Sequence, residues 1–334
     1  MRYDENDRES SNVEDRRGQG GGGMFGGGGG GGGGFPIPMG GRGGFSLTTM
    51  LIVGALMLLF GLNPLDLITG GGSVDMSRVP QMPQMDGGQS PRSGRNDIPG
   101  LPGGQAQAPG QDELGRFTRR VLADTEDVWE RVFQASGRQY KKPTLVMFTG
   151  STRTACGQGL SQMGPFYCPL DQKVYVDLAF YDELKRRFRA PGDFAQAYVV
   201  AHEVGHHVQT LLGVADKVQE MKQSYPREAN QIQVRMELQA DCLAGVWANL
   251  NDQLKKRLQP GDIEEGLNAA SQIGDDMIQR QTQGQVVPES FTHGSSAQRV
   301  RWFKTGFQGG SMQVCDTFRT NQLGSVPFQC SAIL

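Results

Sequence analysis

The run Ala201-His202-Glu203-Val204-Gly205-His206-His207 restricts this chain more than any other stretch. At about 3.6 residues per helical turn, His202 and His206 fall one turn apart on the same face, so both imidazoles reach one point in space. That is a metal site in outline, and two histidines with a nearby carboxylate suit zinc, Zn2+. Glu203 projects beside the pair, where it can take a proton from water whose pKa the ion lowers to about 7. Any fold for this sequence must keep that helix intact and bring a further ligand to it.

The flanks support a helix. Pro191-Gly192-Asp193 supplies a break and an N-cap, Phe194, Ala197, Ala201, Val204, Val208 and Leu211 follow helical spacing, and Gly213 closes the segment. Tyr198, His202, Gly205, His206 and Gln209 form a neighbouring stripe. The compact pattern H-E-x-x-H-x-x-G-x-x-H is excluded, because Gln209 and Leu212 hold its Gly and His positions. The third ligand must therefore come from elsewhere. The next long helix, about Arg227 to Leu250, carries Glu237 and Asp241 one turn apart. Glu237 completes a His-His-Glu set, while Asp241 accepts a hydrogen bond from a ligand imidazole and fixes its tautomer. Glu220 and Glu228 are further acids in reach by sequence. Cys242 is rotated off that face and reads as a buried small hydrophobe. Ala244, Gly245 and Ala248 are small enough to admit another helix closely.

Earlier in the chain, Asp112 to Gly137 reads as a packing helix, and Lys142–Phe148 and Val174–Leu178 as strands. Cys156 to Pro169 reads as a turn-rich connection, and Tyr181 to about Arg189 as a short helix. Beyond the second long helix, Asp262 to Gln281 reads as one helix. Ser295 or Ser296 caps another that bears Val300 and Phe303. His293, outside the metal motif, is a candidate to donate a hydrogen bond to a developing oxyanion, with Arg299 positioning it or binding a substrate carbonyl. The fold class expected is mainly α with a small β-sheet, an α+β domain.

Composition divides the chain. Residues 18 to 44 are dominated by glycine, and 70 to 111 by Gly, Pro, Gln, Met and Ser, so neither buries a core. The expected organisation is a disordered tail over 1–44, with Met1 to Arg17 solvated, a membrane span over 45–62, a flexible linker over 63–111, and one folded domain over 112–334. Phe45 to Leu62 is uncharged and largely apolar, near the lower length for crossing about 30 Å of hydrocarbon, and it starts too late for a secretory signal. Arg42, with Arg16 and Arg17 behind it, leans towards an N-terminus in the cytoplasm. A formal net charge of −2 with mixed signs and no basic stripe argues against nucleic acid as a partner. The five cysteines point to two local disulfides, Cys156–Cys168 and Cys315–Cys330, with Cys242 as a buried thiol, which fits an oxidising, extracytoplasmic (periplasmic) compartment. Five reduced thiols in the cytosol is the alternative.

The chain resembles the bacterial neutral zinc metallopeptidase family of single-pass membrane proteins. The likeness runs through Thr154-Ala155-Cys156-Gly157, Gly164-Pro165-Phe166-Tyr167-Cys168-Pro169, H-E-V-G-H-H, E-L-Q-A-D-C and H-G-S-S-A-Q-R-V-R-W-F. It is also similar to the wider gluzincin class, which implies His202, His206 and Glu237 as zinc ligands and Glu203 as general base. Membrane peptidases of the heat-shock and prenyl-protein-processing kind carry a late His-Pro segment followed by Arg that resembles His293 and Arg299, with Gly294 here in place of proline. The function expected is a membrane-anchored peptidase acting on a peptide or protein substrate. The competing expectation is a non-catalytic zinc module that binds peptides or a membrane protein.

Overall fold

The computed structural model describes residues 1–18 and 112–319. The predicted span over 45–62, the linker over 63–111 and Cys330 lie outside them. Among the described residues no helix is long and apolar enough to cross a membrane. The architecture is mainly helical with a small sheet, as the sequence implies.

Helix α1, Glu113–Ala135, starts where the Asp112 carboxylate accepts the Gly115 N–H, and it buries Val121, Leu122, Val128, Trp129 and Phe133. Four strands build the main sheet: β1 (Val13–Asp15), β2 (Thr144–Phe148), β5 (Phe166–Cys168) and β6 (Lys173–Asp177), in the order β1-β2-β6-β5. The two central strands pair in parallel from Thr144↔Lys173 to Phe148↔Asp177, and β5 closes one edge antiparallel. Their near-continuous burial explains why both read as apolar runs rather than alternating ones. The expected loop from Cys156 to Pro169 is more ordered than its glycines imply. It contains strand β4 (Gly157–Leu160), paired with β3 (Ser151–Thr154), and then β5, and the Cys156–Cys168 disulfide staples it as expected.

Met1 to Arg17 is not a solvated tail. Strand β1 adds to β2 in parallel, from Val13↔Leu145 to Asp15↔Met147. Its charges have specific partners: Arg8 bonds Glu126 and Asp127 at 2.8 and 2.6 Å, Glu9 bonds Arg116 and Arg119 at 3.0 and 2.7 Å, and Asp7 bonds Arg257 at 2.6 Å. Glu126 is fully buried and also accepts Ser10 and Asn12, so removing this segment would strand a carboxylate in the core. The Met1 ammonium sits against Asp193 and Asp262. The folded unit therefore comprises residues 1–18 with 112–319, rather than starting at 112.

After β6 come α2 (Ala179–Arg186), α3 (Asp193–Leu211), α4 (Val214–Ser224), α5 (Ala229–Lys255), α6 (Asp262–Gln272), α7 (Asp275–Gln283) and α8 (Ser296–Gly309). The single helix expected over 262–281 is broken at Ile273-Gly274, where Asp275 and Asp276 start a new helix that receives the loop before α8. Ser295 caps α8 in a capping box with Gln298. Helices α3, α5 and α8 form the core around Phe194, Tyr198, Trp247 and Phe303. Gly245 allows α8 its close approach, since a Cβ there would lie 2.1 Å from the Phe303 carbonyl oxygen. The predicted Cys315–Cys330 pairing does not form: Cys315 bonds Cys242, joining the segment after α8 to the middle of α5. Cys242 is buried, but as a disulfide partner and not as a free thiol.

A candidate metal centre between two helices

The helices α3 and α5 meet at Gly205, whose absent Cβ would stand 3.1 Å from the Ala240 carbonyl oxygen. That proximity brings His202, His206 and Glu237 together, with one possible ligand atom from each within 4.8 Å of the others. One Glu237 carboxylate oxygen lies 3.2 Å from His202 Nε2 and 3.3 Å from His206 Nε2. Atoms bound at about 2.0–2.2 Å to a tetrahedral zinc stand roughly 3.3 Å apart, so these spacings match a tetrahedral edge.

The far side of each group is already committed. His202 Nδ1 donates to Asp241 Oδ1 at 2.8 Å, and His206 Nδ1 donates to Gln209 Oε1 at 2.8 Å. Gln233 holds the second Glu237 oxygen at 2.6 Å. In its neutral form each imidazole thus takes the tautomer that turns the Nε2 lone pair inward. The field at this point favours a cation. Burial lowers the His206 pKa, but the adjacent Glu237 carboxylate outweighs it and the value rises to about 9. Burial likewise opposes ionisation of Glu237, yet His206 and His202 hold its pKa well below the usual range. The donor set, its spacing and its charge fit one zinc ion. Another acidic cluster, Asp193, Asp262 and Glu265, is engaged by the Met1 ammonium at its first two members.

Asp241 is wholly buried and carries more than His202. Tyr198 donates its hydroxyl to Oδ1, and Arg299 contacts the carboxylate at 2.9 Å through both Nε and Nη2, with Nη2 also 3.1 Å from the Tyr198 oxygen. Burial raises the Asp241 pKa, but Arg299 and His202 overcome this and hold it at about 2. Arg299 is therefore bound to Asp241, not placed to orient His293 or to meet a substrate carbonyl as the sequence reading allowed. His293 sits on the loop before α8, its Nδ1 3.2 Å from Asp275 Oδ1 and its side chain 43% exposed. Asp275 also accepts the backbone N–H groups of Thr292, His293 and Gly294, which fixes this loop. Partial burial lowers the His293 pKa, but the hydrogen bond to Asp275 and the negative charges of Glu237 and Asp275 outweigh it and raise the value. Glu203 is 8% exposed, and burial raises its pKa while His202 and His206 pull the other way.

The pattern of the family described as "putative neutral zinc metallopeptidase" matches residues 1–318. The chain belongs to that family. It is 48% identical over 312 residues to YpfJ, an uncharacterized protein of Escherichia coli, covering 93% of this chain and 96% of that protein. Uncharacterized proteins of Mycobacterium bovis and Mycobacterium tuberculosis are 41% identical over 222 residues, 64% of this chain and 74% of theirs. No solved structure matches.

In this member of the putative neutral zinc metallopeptidase family, Tyr198 and Gln209 fall on the predicted stripe but carried no assigned role, and Gln233 was not singled out. Gln233 lies one helical turn before Glu237, as Tyr198 does before His202, so the same helical spacing marks it as a neighbour of the ligand. His207, the last histidine of the motif run, faces away: its Nδ1 accepts the Tyr167 hydroxyl at 3.0 Å and its Nε2 donates to the Lys141 carbonyl at 2.6 Å. Burial lowers its pKa to about 4, so it joins α3 to β5 as a neutral ring.

Proposed function

We propose that this chain is a zinc-dependent peptidase that hydrolyses peptide bonds in a peptide or protein substrate. The observation that carries this reading is the inward convergence of His202 Nε2, His206 Nε2 and one Glu237 oxygen while their outer atoms are held elsewhere. When bound there, zinc supplies Lewis acidity, polarising a carbonyl and acidifying water. Glu203 takes the proton of the attacking water and returns it to the leaving amine, a task suited to a buried carboxyl with a raised pKa. His293 donates a hydrogen bond to the oxygen that gains charge, and Asp275 keeps it in place. Strand β5, at the sheet edge beside α3, is the place where an extended substrate would add as a further strand.

An unfolded protein such as denatured casein tests the reading. The purified full chain is expected to cleave it, to stop on treatment with a chelator, and to resume when zinc returns. Binding without cleavage under all three conditions would overturn the peptidase and favour a peptide-binding module.

We further propose membrane attachment through residues 45–62, with the folded unit in an oxidising, extracytoplasmic compartment. Support comes from two disulfides in the folded unit. The β1–β2 pairing restricts this reading: residues 1–18 and 112–319 fold together, which argues against residues 1–17 in the cytoplasm with the domain outside and for both on one side of the membrane. A single one-way crossing would separate them. With Cys330→Ser as background, Glu5→Cys and Lys304→Cys should react alike with an impermeant maleimide on intact cells, both positions being exposed. Labelling of one and protection of the other would sink the same-side topology.

A further inference from the structure

Three hydrogen bonds through two buried side-chain amides run from the metal centre to the Cys242–Cys315 disulfide. His206 Nδ1 donates to Gln209 Oε1 at 2.8 Å, Gln209 Nε2 donates to Gln239 Oε1 at 2.9 Å, and Gln239 Nε2 donates to the Cys315 carbonyl at 3.1 Å. Gln209, Gln239 and Cys315 are each fully buried, so no solvent replaces a lost partner. The chain has one direction. Each side-chain amide accepts at its oxygen and donates at its nitrogen, and the terminal acceptor is a carbonyl that cannot reverse. Gln209 also donates to the Met236 carbonyl at 2.8 Å, which fixes the orientation of the first amide.

The terminal acceptor is held in space by covalent bonding. Cys315 lies in the short turn Met312–Cys315 after α8, and its disulfide partner Cys242 follows Asp241 on α5. Just beyond, the Thr317 hydroxyl donates to the Arg235 carbonyl at 2.6 Å, and Arg235 returns a bond to the Thr317 carbonyl. Phe318 then packs with Val214, Val218 and Ile232. The disulfide thus pins a segment whose carbonyl supports the imidazole on one side of the centre, while Asp241 supports the other.

We propose that Gln209, Gln239 and the disulfide-held Cys315 carbonyl are positioning groups that fix the tautomer and direction of His206, and that zinc retention therefore depends on an intact Cys242–Cys315 bond. The proposal rests on the zinc reading above. Opening the bond with a dithiol, which gives up two electrons and two protons and closes to its own disulfide, breaks the S–S bond to two thiols and frees the carbonyl at the end of the relay. Cys156–Cys168, which ties the β3–β4 turn to the end of β5, takes no part in this relay and serves as the control for metal binding.

The test uses full-length protein loaded with zinc and follows transfer of the metal to a chromophoric chelator. It also records the visible spectrum of the cobalt-substituted protein, which reports ligand geometry. Gln239→Met keeps the disulfide and the side-chain volume but removes the relay, and Cys242→Ala/Cys315→Ala removes the anchor. Both are expected to lose zinc affinity by roughly 10- to 100-fold and to shift the cobalt spectrum, as loss of a group supporting a ligand does. Cys156→Ala/Cys168→Ala should match the wild type in both readouts. Should the double alanine variant at 242 and 315 fail to fold, Gln239→Met alone decides. Folded Gln239→Met with wild-type zinc transfer and an unchanged cobalt spectrum would overturn the relay. A wild-type chain that takes up no zinc would remove the zinc reading itself and the relay with it.

Discussion

Glu203→Gln is expected to keep zinc and lose peptide hydrolysis by on the order of 10²- to 10⁴-fold, the contribution typical of a positioned general base. The substitution preserves side-chain shape, and none of the contacts that orient the three ligands passes through Glu203. Its amide cannot accept the water proton, so the defect should fall on kcat, with substrate binding largely retained. Burial raises the Glu203 pKa, and the two histidines beside it restrain that rise. The wild-type kcat/KM should accordingly decline on the acid side as this carboxyl gains a proton, and the variant's residual activity should lack that limb. Full activity in Glu203→Gln, or loss of the metal with it, would show that the carboxylate serves another purpose.

Asp241→Ala is expected to have the largest effect on stability, about 3–5 kcal/mol, because it leaves the buried Arg299 guanidinium without its counter-charge. It also removes the acceptor for His202 Nδ1, so zinc affinity should fall by roughly 10- to 100-fold. Chemical denaturation and metal titration read these two consequences separately. The same carboxylate gives the acid dependence a sign. Its folded pKa of about 2 is below the ordinary value of 3.8, so its contribution is complete above the ordinary value and disappears as pH falls towards 2. The Asp241→Ala protein should lack this part of the acid transition. A variant as stable as the wild type would mean that Arg299 finds another partner.

The metal helix was legible because three requirements coincide in a few residues: helical spacing of apolar groups, two histidines one turn apart, and a carboxylate between them. Glu237 and Asp241 were legible for the same reason of spacing, and they occupy the expected positions relative to His202. Residues 1–18 were not, because Arg8, Glu9 and Arg17 look like a solvated charge run unless Glu126, Arg116, Arg119 and Asp112 are known to face them. Three residues in β1 carry too little periodicity to announce a strand. Disulfide choice failed for a related reason. Nearness along the chain favoured Cys330 for Cys315, whereas the packing of α8 on α5 brings in Cys242, 73 residues away. Arg299 was legible as a residue behind the metal ligands beside Asp241, but its contact was not, since sequence places it near His293 and only the fold sets it against Asp241.

Anomalous diffraction at the zinc edge, on crystals of the full chain grown with zinc, tests the central claim most directly. The account predicts one peak in the folded unit, about 2.0–2.2 Å from His202 Nε2, His206 Nε2 and a Glu237 oxygen, with the remaining position open to solvent. A peak elsewhere, or an ion enclosed by four protein ligands, would contradict it.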